Sequence, residues 1–186
     1  MASILKDIGH FLWNSDSAWS WIIDLILAFI IVKWVFFPLL SLIFASQLPM
    51  VVVESTSMVH DTNFDTFWQN YGKFYEDIGI FKSGFEKFSF INGFNKGDIM
   101  VIHGQKDYQV GDVIVFRVTE QSTPIIHRII KIDNETYSTK GDHNPYQLTY
   151  EKSIQKSQII GKAIGRIPIV GWLKLIFVDV YRFFTG

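Results

Sequence analysis

Met50-Val51-Val52-Val53-Glu54-Ser55-Thr56-Ser57-Met58 is the stretch from which the rest of the chain is read. Its first four residues have the composition of a strand, and a long apolar stretch precedes them. A strand that leaves an apolar anchor and ends in two closely spaced hydroxyls is a platform for a nucleophile at a membrane surface. A serine hydroxyl is a weak nucleophile until a neighbour takes its proton, so the rest of the chain must supply a base. Downstream stand Pro124-Ile125-Ile126-His127-Arg128-Ile129-Ile130 and Thr139-Lys140-Gly141-Asp142-His143-Asn144. Ser57, His127 and Asp142 are residues of the right types for nucleophile, general base and orienting acid. Spacing alone does not bring them together, and the same residues also suit loops and satisfied polar groups.

The apolar stretch runs from 18 to 48. Leu25 to Val32 is wholly apolar, Lys33 interrupts it, and Trp34 to Ala45 continues it with Pro38 inside. Twenty-odd residues of helix cross a hydrocarbon core about 30 Å thick, so this reads as one transmembrane anchor. A cleavable leader would be shorter, start earlier and follow a positive region. Lys33 is read as snorkelling towards the interface. In the first seventeen residues Lys6 is offset by Asp7 and Asp16, so charge does not orient the span.

Beyond the anchor, the 186-residue chain leaves room for one compact domain. A net charge of −1 provides no basic footprint for nucleic acid. Without cysteine there is neither a disulfide framework nor a thiolate metal site. His60, His103 and His143 lack the paired spacing of a metal site, so no metal or cofactor is expected. Ile99 to Ile102, Val113 to Val118, Ile125 to Ile132 and Ile159 to Ile164 are short β-branched runs bounded by Gly, Asp, Asn or Pro. They predict a mainly β domain, a small antiparallel sheet or barrel.

Two further segments stand out. Phe64, Phe67, Trp68, Tyr71, Phe74 and Tyr75 recur at three- and four-residue spacing, which predicts an amphipathic helix over 64–77. It lies within an aromatic-rich stretch at about 60–95, suited equally to packing on the domain and to dipping into the lipid interface. From Trp172 to Phe184, Lys174, Asp179 and Arg182 fall on one side of a helix and leave an apolar remainder, as in an interfacial helix. The expected organisation is a tail at 1–17, the anchor at 18–48, the β domain at 49–171 and the interfacial helix at 172–186.

Taken in order, the serine pair, the His127 and Gly141-Asp142 segments, Gly97-Asp98-Ile99-Met100-Val101, Gly111-Asp112-Val113-Ile114-Val115 and Pro168-Ile169-Val170-Gly171-Trp172 resemble the type I signal peptidases. The resemblance is to the archaeal and endoplasmic-reticulum branch, where a histidine replaces the lysine base of the bacterial enzymes. It implies a membrane-anchored serine endopeptidase that removes signal peptides from exported preproteins, with its catalytic domain on the extracytoplasmic side of the cell membrane. Its partners would be preprotein substrates and the bilayer. Ser57 would be the nucleophile, His127 the base and Asp142 the supporting acid, with the Ser55 hydroxyl helping to hold the oxyanion.

The chain departs from that pattern in several places. Thr56 stands where members often have glycine, and His60 where they often have proline. A second aspartate, often found five or six residues past the first, is replaced by Gln147 or Leu148, which would leave Asp142 to act alone. The stretch between Met58 and Gly97 is much longer than in many members. Those changes sustain an alternative, a non-catalytic membrane-tethered β domain that binds a protein partner. A self-cleaving repressor relative is disfavoured by the anchor and by the lack of a DNA-binding segment.

Overall fold

The computed structural model describes residues 17–185, so the tail expected at 1–17 lies, apart from Ser17, outside the described residues. The chain divides into two compact units, with the boundary after Ile43.

The first unit contains one helix, α1 (Ala18–Ile43), long and apolar enough to cross a membrane. Ser17 caps its start by accepting a hydrogen bond from the Ser20 amide at 3.2 Å. Residues Val32–Phe36 form a wide π turn, in which the Phe37 amide reaches back to Val32 O. Pro38 explains the widening, because its ring has no N–H to donate and crowds the carbonyl four residues earlier. Lys33 lies in this turn, its ammonium 5.7 Å from the Phe29 ring centre and 5.5 Å from that of Trp34.

The second unit is built on a seven-stranded antiparallel sheet: β1 (Met50–Val52), β2 (Ile99–His103), β3 (Val113–Phe116), β4 (Ile125–Asp133), β5 (Thr136–Lys140), β6 (Ile154–Gln155) and β7 (Ile159–Ile167). The spatial order is β1-β2-β7-β3-β4-β5-β6. Gly97-Asp98 and Gly111-Asp112 introduce β2 and β3, and each aspartate closes its own turn, Asp98 accepting from the Asn95 amide and Asp112 from the Gln109 amide. Side chains alternate across the sheet. Val113 and Val115 of β3 enter one core with Val53, Met58, Phe94, Met100 and Ile102. Ile114 and Phe116 enter the other, with Ile129, Tyr137 and Ile154. A strand buried on both faces explains the unbroken apolar run Val113 to Phe116.

The aromatic stretch forms α2 (Phe64–Asp77) and α3 (Lys82–Phe85). Asn63 caps α2 through a bond from the Thr66 amide at 2.9 Å. Of the two roles open to these aromatics, packing prevails: Phe67, Tyr75 and Phe85 are fully buried with Ile130 of β4. Phe81, at the turn between the helices, is exposed. The last helix, α4 (Trp172–Thr185), buries Leu175 and leaves Leu173, Ile176, Phe177, Val180 and Phe184 exposed. Its first residue packs on the turn before β2. Gly97 there has φ +89°, and a Cβ on it would collide with the Trp172 indole.

Phe85 lies at the centre of the third cluster, with the Phe64, Phe67, Trp68, Tyr75 and Phe88 rings and the Arg128 guanidinium around it. Phe85→Ala should therefore cost about 3–5 kcal/mol, the range for deleting a buried phenylalanine. Urea unfolding followed by tryptophan fluorescence measures the loss.

Candidate active site

Ser57 follows β1 in a short turn, where the Val59 amide bonds Thr56 O. His127 is on β4, on the same face as Ile129, with its ring near Phe116. The sheet brings the two together: His127 Nε2 is 3.0 Å from Ser57 Oγ. Ser55 Oγ is 3.0 Å from Ser57 Oγ, so the second hydroxyl of the opening motif also faces the site.

The acid beside His127 is not the one read from the sequence. His127 Nδ1 faces Glu151 Oε1 in an ion-pair contact, and neither atom has another hydrogen-bond partner. Glu151 is fully buried at the end of a 3₁₀ turn, Thr149–Glu151, and its other oxygen accepts the Leu148 amide at 2.6 Å. Gln147 supports this turn, its amide donating to Thr139 O and Glu151 O at 2.9 and 3.2 Å. A carboxylate opposite Nδ1 favours the tautomer with the proton on that nitrogen, which leaves Nε2 free to accept the serine proton. Ser57, His127 and Glu151 thus have the connectivity of nucleophile, base and orienting acid.

Asp142 is close by but differently engaged. Its Oδ1 accepts from Tyr75 Oη at 2.8 Å and Arg128 Nε at 3.0 Å, and its Oδ2 contacts His60 Nε2 and Arg128 Nη2, both at 2.8 Å. With both oxygens occupied, this carboxylate is not available to orient His127. Burial alone would raise its pKa, but the Arg128 charge and the bonds from His60 and Arg128 outweigh burial and hold it well below the usual carboxylate range. Burial, followed by the Asp142 charge, raises the Tyr75 hydroxyl well above its ordinary value, so it stays a donor.

The turn containing Asp142 nevertheless borders the site. The His143 amide donates to Ser57 O at 2.8 Å. A Cβ on Gly141 would lie 2.8 Å from His127 Nε2 and 2.9 Å from Ser57 Cβ, so only glycine lets the backbone come this close. Lys140 Nζ donates to Gly141 O and Asp142 O at 3.0 and 3.2 Å, beneath the rings of Phe74 and Tyr75. Burial lowers its pKa to about 8, against the opposing pull of Asp142 and Glu151.

Glu151 was missed because the sequence pattern placed a second acid at 147 or 148, and those positions hold Gln147 and Leu148. A signal was nonetheless present: Glu151 is the first carboxylate after Asp142. Among the described residues no cluster of three or more metal-ligating side chains occurs.

No family model matches the chain. Similarity to individual proteins is found with the signal peptidase complex catalytic subunit SEC11 of Ogataea parapolymorpha, 26% identical over 107 residues, covering 46% of this chain and 61% of that protein. The human catalytic subunit SEC11C is 28% identical over 102 residues, covering 48% of this chain and 53% of its own. SEC11 of Debaryomyces hansenii is 29% identical over 98 residues, covering 46% and 59%. The chain therefore spans a little over half the length of these curated relatives.

Since Asp142 is ionised in the fold below its ordinary value of 3.8, its stabilising effect is complete above about pH 4 and is lost as pH falls through the lower folded value. Asp142→Asn should cost about 3–5 kcal/mol at pH 7, since it leaves Arg128 buried without its counter-charge. The variant should also show a flatter dependence of stability on acid than the parent between about pH 4 and 2, measured by urea unfolding across that range. Over a little under half of its length, then, this chain is similar to the catalytic subunits of eukaryotic signal peptidase complexes.

Proposed function

We propose that the chain is a membrane-anchored serine endopeptidase that removes signal peptides from preproteins, and that Ser57, His127 and Glu151 carry out the reaction. The observation that carries this reading is the contact series Ser57 Oγ, His127 Nε2, His127 Nδ1, Glu151 Oε1. His127 takes the Ser57 proton as Oγ attacks the scissile carbonyl, and a tetrahedral oxyanion forms. Collapse breaks the C–N bond, the proton passes from His127 to the leaving amine, and an acyl-enzyme remains. Water, deprotonated by the same imidazole, then attacks the ester, releasing the carboxylic acid and restoring the hydroxyl. Glu151 fixes the tautomer and stabilises the imidazolium during each step.

The oxyanion would be held by the Ser57 amide and the Ser55 hydroxyl. Because β1 is an edge strand that runs directly to the serine turn, an extended peptide could pair with it and present its carbonyl to Ser57. Small side chains before the scissile bond suit such cleavage sites. The span α1 would tether the domain to the bilayer, with the domain on the extracytoplasmic side and the exposed apolar face of α4 at the lipid interface. The relatives are named as subunits of a complex, so companion subunits belong to this reading.

The test is cleavage of a labelled preprotein by the full chain in detergent. Ser57→Ala should abolish the cut, and Ser55→Ala should lower kcat about 10²- to 10³-fold. Glu151→Gln should lower kcat by about 10²- to 10⁴-fold with little change in KM, because asparagine-type replacement of such an acid disfavours the required tautomer. Unchanged cleavage by Ser57→Ala would remove the assignment and favour the non-catalytic binding domain.

A further inference from the structure

One buried histidine has no part in the proton path. His60, three residues after Ser57, has its Nδ1 2.7 Å from Ile91 O and its Nε2 2.8 Å from Asp142 Oδ2. A backbone carbonyl can only accept a hydrogen bond, and so can an ionised carboxylate. Both ring nitrogens must therefore donate, and a ring that donates from both is an imidazolium. The ring lies flat on Phe67 of α2, with centroids 3.6 Å apart and planes 3° from parallel. A cation on an aromatic face is a favourable contact when water is excluded. The groups facing His60 are the Asp142 carboxylate, with Arg128 and Tyr75 on the same oxygens, and the rings of Phe67 and Phe85.

We propose that His60 is a positioning residue, held as an imidazolium, that couples the aromatic insertion to the Gly141-Asp142-His143 turn and so fixes the seat of Ser57. The coupling path is continuous. Phe67 supports the His60 ring, and His60 from one side and Tyr75 of α2 from the other hold Asp142. The next amide, that of His143, holds Ser57 O. His143 Nδ1 also meets Val59 O at 3.2 Å, and its Nε2 lies 3.4 Å from Tyr71 Oη of α2. The segment from Ser57 to His60 is thus pinned at three places to one turn, and the insertion holds that turn from behind. The role in catalysis rests on the peptidase reading, whereas the coupling itself does not.

The experiment uses the full chain in detergent micelles with ¹⁵N-labelled histidine. At pH 7 the His60 ring, assigned by its disappearance in His60→Gln, should show both nitrogens protonated. This readout needs no variant to fold beyond the assignment, and a single neutral tautomer would overturn the proposal. Amide hydrogen exchange is the second measurement: His60→Gln should speed exchange of the His143 amide at least about tenfold, because opening of that turn becomes easier. With a labelled preprotein, His60→Gln should lower kcat by about 10- to 100-fold while KM stays within about twofold. Phe67→Leu should act in the same direction, and the double variant should be no worse than His60→Gln alone, as expected for residues on one path. Parental exchange at His143 together with parental kcat in His60→Gln would refute the coupling. A parent that cuts no preprotein but shows the charged ring and the accelerated exchange would refute the peptidase reading and leave the coupling supported.

Discussion

The site depends on one carboxylate that has no access to water. Asp142 is fully buried, and an isolated charge in that position would be prohibitive without counter-charges and donors. Arg128 supplies the charge, and its remaining N–H groups donate to Ser89 O and Gly111 O from Nη1 and to Phe90 O from Nη2. One guanidinium therefore binds the end of the insertion, the turn before β3 and the turn beside the nucleophile. Replacing any of these pieces leaves a buried charge or a buried donor without a partner. Such a cluster tolerates few intermediate arrangements, and this gives the site a single geometry.

The two acids divide the work through their surroundings. Asp142 is surrounded by donors on every side, which suits a structural charge and leaves no lone pair for a moving proton. Glu151 has one oxygen on a backbone amide and the other on His127, so its charge is directed at the ring that is the base in the proposed reaction. The Gln147 amide supports the turn that presents Glu151. In the proposed reaction, the orienting carboxylate is therefore Glu151 rather than Asp142.

Much of this was legible in the amino-acid sequence. The aromatic spacing of 64–77 was read as a helix and is one from Phe64 to Asp77, and the β-branched runs at 99, 113, 125 and 159 are strands. The resemblance implied roles for Ser57 and His127, while spacing alone did not bring them together; in the fold His127 Nε2 is 3.0 Å from Ser57 Oγ. Three things were not legible. β5 is the polar run Thr136 to Lys140, whose register comes from pairing with β4 rather than from its own hydrophobic pattern. β6 is too short to show a period. The choice between Asp142 and Glu151 turns on which carboxylate is already saturated by Arg128, Tyr75 and His60, and residues so far apart in sequence give no local sign of that.

The strand order has a consequence for how the molecule comes into being. The serine follows β1, which among the described residues pairs only with β2, and the histidine is on β4, which is bonded to β3 and β5. The hydrogen-bonded link between these halves is β7, the last of the described strands in chain order, lying between β2 and β3. Ser57 and His127 are therefore made early but stay on separate pieces of sheet until β7 has been added. Long-range closure of this kind is slow compared with hairpin formation, and under the proposed function the nascent chain would have no assembled centre during that interval with which to cut its neighbours.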